Sequence, residues 1–208
     1  MTTAPALDLH IVQKIRKVAV GLSLLVLIGL ALVSQSFGGS DGRWHEAVEA
    51  TGLAAILVAI VGRAWCSLYV GGRKKAEIVA RGPYSITRNP LYLFSFVAAF
   101  GMGAQSGTLT IALLFVIAAI LVFSLTVQRE ERFLRAQFGA VYAAYVARIP
   151  RFWPRFSLWQ DEAELTIRPS FFAVTIRDGL TFFLAIPLFE LIDAGQQGGT
   201  FSVLAHLI

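Results

Sequence analysis

The chain has 208 residues, 56% hydrophobic and only 15% charged, with a formal net charge of +5 and a mean hydropathy of +0.68. That balance departs from a soluble domain and describes a membrane protein. One cysteine, Cys66, excludes an intrachain disulfide, and His10, His45 and His206 are scattered along the chain, so neither redox chemistry nor a metal centre is expected.

A helix needs roughly 20 predominantly apolar residues to cross the hydrocarbon layer, where unsatisfied backbone groups are too costly. About five segments qualify. The first covers 15–34; it follows Lys14, Arg16 and Lys17 as a signal peptide would, but further spans follow instead of a cleavage site and a soluble domain. The second runs over 47–70 and ends at Gly71-Gly72. A short third begins at Pro90 and runs out near Gly103, and the tight turn "GAQSG" joins it to a fourth over 108–127 as an antiparallel hairpin. A fifth lies around 175–191, with Pro187 expected to kink it and Arg177 expected to pair with Asp178. The last residues, "TFSVLAHLI", are too short to cross again and are expected at the far interface. The expected fold is therefore all-α and polytopic, a single membrane domain over 1–208.

Lysine and arginine accumulate in cytoplasmic loops, and here the bias is clear. Arg73, Lys74, Lys75, Arg81 and Arg88 separate spans two and three. Arg129, Arg132, Arg135, Arg148, Arg151 and Arg155 follow span four, whereas the loop 35–46 holds only Arg43. Topology thus accounts for the positive charge without nucleic acid. Chemistry is expected at the cytoplasmic interface, between the loop 73–89 and the segment after Val127.

That segment, "QREERFLRAQFGAVYAAYVARIPRFWP", reads as an amphipathic cytoplasmic helix ended by Pro150. Phe133, Leu134, Phe138, Val141, Tyr142, Tyr145 and Ile149 make its apolar stripe. Glu130 and Glu131 stand at the end of a span, where they oppose the helix dipole and call for cationic or hydrogen-bonding partners. On the other side of the interface, Asn89 suits a helix N-cap and Pro90 the first helical position. Such a start, with Arg88 beside it, favours an anion, and Tyr84 and Tyr92 are placed either to add contacts or to join an interfacial aromatic belt.

Two blocks, "RGPYSITRNPLYL" (81–93) and "EERFLRAQFGAVYAAYVARIPRFWP" (130–154), in this order around a helical hairpin, resemble the isoprenylcysteine carboxyl methyltransferases and related phospholipid methyltransferases. The resemblance covers roughly 73–154, about 40% of the chain, and leaves 155–208 as an extension. Where the family pattern usually has histidine before the first proline, this sequence has Asn89, and asparagine also caps and hydrogen-bonds.

The resemblance implies S-adenosylmethionine as cofactor, no metal, and a lipophilic methyl acceptor that enters from the bilayer: prenylcysteine, a phospholipid amine or a small amphiphile. It places Arg88, Asn89 and Tyr92 at the methionyl end and Glu130 or Glu131 on the amino or ribose groups, with Tyr142, Tyr145 and Arg148 closing the pocket. Arg88 or Arg148 would orient a carboxylate acceptor, and an amine acceptor would need a base such as a glutamate. Gly101 and Gly103 serve either close backbone approach to the cofactor or close helix packing. Arg63 is placed either to meet the acceptor's polar head, with Tyr84, or to snorkel to the interface. Two other classes stand beside this reading: an NADPH-dependent sterol-type membrane reductase, whose core is similar, and a non-catalytic membrane scaffold.

Overall fold

The computed structural model describes residues 4–37, 39–40, 42–73 and 76–208, with side chains described from residue 14 onward except that of residue 16. The polarity of the sequence sets its architecture. Long apolar runs make α1 (Ala4–Val33), α2 (Arg43–Val70), α4 (Pro90–Ala104) and α5 (Leu109–Arg148), with a single turn, α3 (Pro83–Ile86), between α2 and α4. Beyond a stretch that contains a 3-10 turn at Phe156–Leu158 come α6 (Pro169–Leu180) and α7 (Ala185–Gln197), joined by a second 3-10 turn at Thr181–Leu184.

Among the described residues, three helices are long and apolar enough to cross a membrane: Arg43–Val70, Leu109–Arg148 and the run Pro169–Gln197. The other two expected spans are shorter apolar helices, Lys17–Val33 and Pro90–Ala104. The break in the last run falls at Thr181–Leu184 rather than at Pro187. Pro187 is only the third residue of α7, where its missing N–H has no helical partner to lose. The chain's last residues, expected at the far interface, have a fixed place in the fold. They form β2 (Ala205–Leu207), which pairs in parallel with β1 (Ser34–Ser36), and the Ile208 carbonyl accepts from the backbone N–H and hydroxyl of Thr110.

The chain packs as two compact units. One comprises Met1–Leu53, Ala99–Val127 and Ala185–Ile208; the other comprises Ala54–Ala98 and Gln128–Leu184. In the first, Leu27, Ala31, Ile111, Phe115, Phe189 and Ile192 form the main buried cluster. Gly103 is where α4 and α5 touch: a Cβ there would lie 2.8 Å from the Ala112 Cα and 2.9 Å from the Phe115 ring. In the second unit, Cys66, Tyr69 and Tyr84 form one apolar cluster and Tyr142, Tyr145 and Ile149 another.

The expected amphipathic helix after span four needs correction. α5 is not one uninterrupted helix, because Gly139 takes φ 50° and ψ −121°, a conformation that only glycine adopts readily. The apolar stripe nonetheless continues across the break, with Leu134 and Phe138 packed against Tyr142, Tyr145 and Ile149. Val141, expected in the apolar stripe, is 67% exposed, while its neighbour Tyr142 is among the most deeply buried large residues.

Candidate functional site

The second unit gathers both sequence blocks. α4 starts at Pro90, so Arg88 and Asn89 sit just before its first turn, and the Asn89 carbonyl accepts from the amides of Tyr92 and Leu93. The chain beyond the α5 break returns past this start. The Arg88 amide donates to the Pro150 carbonyl at 2.9 Å, the Arg155 amide to Ile86 at 3.0 Å, and the Thr87 hydroxyl to the carbonyls of Arg151 and Phe152. Backbone bonds and the Thr87 hydroxyl together tie the two blocks to each other.

Glu131 is the centre of the arrangement. Its carboxylate accepts from the Asn89 amide at 3.3 Å, lies 3.3 Å from an Arg88 guanidinium nitrogen, and takes two bonds from Arg151 at 3.2 and 2.6 Å. Glu131 is 9% exposed and Arg88 10%, so this is a buried pair; Arg151, at 46%, closes it from outside. The fork of Arg151 matches a carboxylate well, and the bond to Glu131 pushes the Arg151 pKa above its ordinary range. Asn89 uses its side-chain nitrogen on Glu131 and on the Arg151 carbonyl. Its side-chain nitrogen is thus a donor to the acidic centre, a contact that the cap expectation did not include.

Around this centre, Tyr92 donates to Glu130 at 3.2 Å. Tyr145 donates to the Tyr84 carbonyl at 2.8 Å, with the Tyr142 ring tilted against it at 6.1 Å. Among the described residues, two buried polar atoms here have no hydrogen-bond partner, Nε of Arg88 and the hydroxyl of Tyr84. Burial pushes the Tyr84 phenol well above its ordinary range, so it remains a neutral hydroxyl able to donate. Arg63 hydrogen-bonds to the Ser95 hydroxyl and the Leu91 carbonyl, and its guanidinium lies 5.8 Å from the centre of the Phe182 ring. These contacts tie it to α4 and to the ring of Phe182.

Of the residues picked from sequence, Arg88, Asn89, Tyr92, Glu130, Glu131, Tyr84, Tyr142 and Tyr145 all belong to this unit. Arg148 is exposed, and Gly101 and Gly103 belong to the other unit. Sequence reasoning counted Arg151 only as a loop charge. The signal was its place after Pro150, which stops the helix and turns the following arginine back.

The first unit holds a second polar group that sequence reasoning missed. His45 Nε2 lies 3.2 Å from a Glu49 oxygen and 3.3 Å from an Asp193 oxygen. The expectation of no metal centre rested on the spacing of the histidines alone. Here one histidine gains two carboxylates, one of them from α7, and the three offer ligand atoms within 4.8 Å of one another.

Comparison with known proteins gives the family. The phospholipid methyltransferase family pattern matches residues 51–141. The chain is 34% identical over 185 residues to the cobalt-zinc-cadmium resistance protein CzcN of Cupriavidus metallidurans, covering 88% of this chain and 85% of that one. It is also 34% identical over 160 residues to the nickel-cobalt-cadmium resistance protein NccN of Alcaligenes xylosoxydans xylosoxydans, covering 76% and 75%. No solved structure matches it. With the two motif blocks joined through Glu131 in a helical membrane protein, the chain belongs to the phospholipid methyltransferase family of integral membrane methyltransferases.

Proposed function

We propose that this protein transfers a methyl group from S-adenosylmethionine to a lipophilic acceptor at the cytoplasmic face of the membrane. The observation that carries the reading is the buried Glu131 centre, which holds Arg88 and Asn89 of one block and Arg151 of the other in a single hydrogen-bonded group. Family membership favours methyl transfer over the nicotinamide-dependent reductase.

The residues suit such a cofactor. Arg88 Nε and the Tyr84 hydroxyl are buried donors without hydrogen-bond partners among the described residues, fitted to a carboxylate and to a neutral acceptor oxygen. Glu130, with Tyr92, suits an ammonium or ribose hydroxyls. When bound, S-adenosylmethionine supplies an electrophilic methyl group on a sulfonium centre. The chain's part is to hold donor and acceptor in line and keep water out. Glu131 already has its acceptor capacity used by Arg88, Asn89 and Arg151, so its role is positioning. It keeps two cations and an amide fixed where repulsion and desolvation would otherwise disperse them. A carboxylate acceptor has no proton to lose and needs only a cation to orient it. An amine acceptor gives up its proton, and Glu130 is the carboxylate in reach of such a role.

Helix length supports an interfacial site. At about 1.5 Å per residue, the apolar part of α5 up to Val127 uses up the roughly 30 Å of hydrocarbon, leaving Glu130 and Glu131 at its edge. The excess of lysine and arginine on the same side supports the cytoplasmic orientation. The relatives are named for resistance to cobalt, zinc, cadmium and nickel, and we place the methylation in that setting, on a membrane lipid or lipid-anchored component.

The test is transfer of label. Membranes containing the protein, given S-adenosylmethionine with a radioactive methyl group, should accumulate label in the organic-extractable fraction, and Glu131→Gln membranes should not. Equal label in both, or none above membranes lacking the protein, would defeat the reading.

A further inference from the structure

The first unit contains a group of side chains that methyl transfer does not use. His45 and Glu49 stand four residues apart in the first turns of α2, a spacing that puts them on one face. Asp193 comes from α7. His45 is 3% exposed, against 33% for Glu49 and 18% for Asp193, so a buried imidazole faces two carboxylates that keep partial access to solvent.

The surroundings are built around that imidazole. Gly107, at φ 64°, packs so tightly on it that a Cβ there would lie 1.9 Å from His45 Nδ1. This walls off Nδ1 and leaves Nε2 as the nitrogen turned toward the carboxylates. Gln105 anchors the same place, its side chain donating to the carbonyls of Glu49 and Gly101. Charge is left unbalanced. Among the described residues no lysine or arginine pairs with Glu49 or Asp193, so a neutral His45 leaves two negative charges together and a protonated one still leaves an excess.

We propose that His45, Glu49 and Asp193 bind a divalent transition-metal cation of the zinc, cobalt and nickel class. Ligand atoms about 2.1 Å from such an ion stand roughly 3.0 to 3.4 Å apart on neighbouring corners of an octahedron or tetrahedron. The two separations at His45 Nε2, 3.2 and 3.3 Å, fall in that interval. One imidazole nitrogen with two carboxylate oxygens suits zinc, cobalt and nickel, while the lack of a thiolate disfavours soft monovalent copper. Three protein ligands leave coordination positions open to water, which the partial exposure of both carboxylates permits. The site therefore suits an exchangeable ion rather than a closed structural one. The proposal does not depend on the methyltransferase reading.

The test uses full-length protein in detergent, purified through a tag without histidine and freed of metal by a chelator. Co2+ and Zn2+ are titrated into wild type, Glu49→Gln, Asp193→Asn and His45→Gln, and into a His10→Gln/His206→Gln chain in which His45 is the one remaining histidine. We expect one equivalent per chain, visible cobalt absorption, and an imidazole in the zinc X-ray absorption spectrum of the chain that keeps only His45. Each single substitution in the cluster should weaken binding at least about tenfold while leaving cofactor binding intact. Should a variant fail to fold, the spectrum of the chain with only His45 decides alone. No binding by wild type, a coordination shell without imidazole in that chain, or undiminished binding by folded Asp193→Asn would overturn the proposal and leave the cluster as a proton-bridged ion pair.

Discussion

Glu131→Gln should do more damage than any other single conservative change in the second unit. The substitution removes the charge that Arg88 faces at 3.3 Å while keeping one oxygen for the Asn89 amide. It also turns an NH2 donor, in one of its two orientations, toward an Arg151 nitrogen that now sits 2.6 Å from an oxygen. Breaking a buried ion pair costs about 3–5 kcal/mol when the surviving charge stays buried. Arg88, 10% exposed, is such a charge; Arg151, 46% exposed, can turn to water and adds little. The retained oxygen puts the estimate at the low end, about 3 kcal/mol, which bounds the loss of cofactor affinity at roughly 100-fold. Calorimetric titration of S-adenosylmethionine and a thermal melt, run on Glu131→Gln and Arg151→Gln side by side, read the two parts of that cost. Unchanged affinity and melting temperature in Glu131→Gln, or a larger loss in Arg151→Gln, would refute the reasoning.

Other substitutions separate the roles assigned above. Arg88→Ala leaves Glu131 its two bonds from Arg151, so melting should fall little while S-adenosylmethionine binding is lost; retained binding would remove Arg88 from the cofactor site. Tyr92→Phe deletes the bond to Glu130 and should lower cofactor affinity about fivefold, near 1 kcal/mol, in the same titration. Gly103→Ala pushes a methyl group against Ala112 and Phe115 and should lower the melting temperature with cofactor affinity unchanged; the reverse pattern would return Gly103 to the cofactor. Gly139→Ala meets no atom within 4 Å, so its cost is backbone strain alone, about 1–3 kcal/mol by thermal melt, and no change would mean the break in α5 is dispensable.

How far the sequence was readable depends on the range over which each feature is set. Apolar runs gave the helices, because burial in lipid acts residue by residue. The two motif blocks announced Arg88, Asn89 and Glu131, and the fold joins them. The apolar stripe held across Gly139 at Tyr142, Tyr145 and Ile149 and missed at Val141, which is exposed. Arg148 faces solvent, and Arg151, three residues after the helix ends at Arg148, takes the place beside Glu131. The short strand at 205–207 has no pattern of its own; pairing with 34–36 makes it a strand. The joining of Asp193 to His45 was equally invisible, because no local signal links residues so distant in the chain.

The central claim is that the Glu131 centre serves S-adenosylmethionine. Titrating S-adenosylmethionine and, separately, NADPH into detergent-purified wild-type protein tests it most directly. The account predicts saturable binding of S-adenosylmethionine at about one per chain and no binding of NADPH. Binding of NADPH alone would turn the same residues into a reductase site, and binding of neither would leave the family fold as a scaffold.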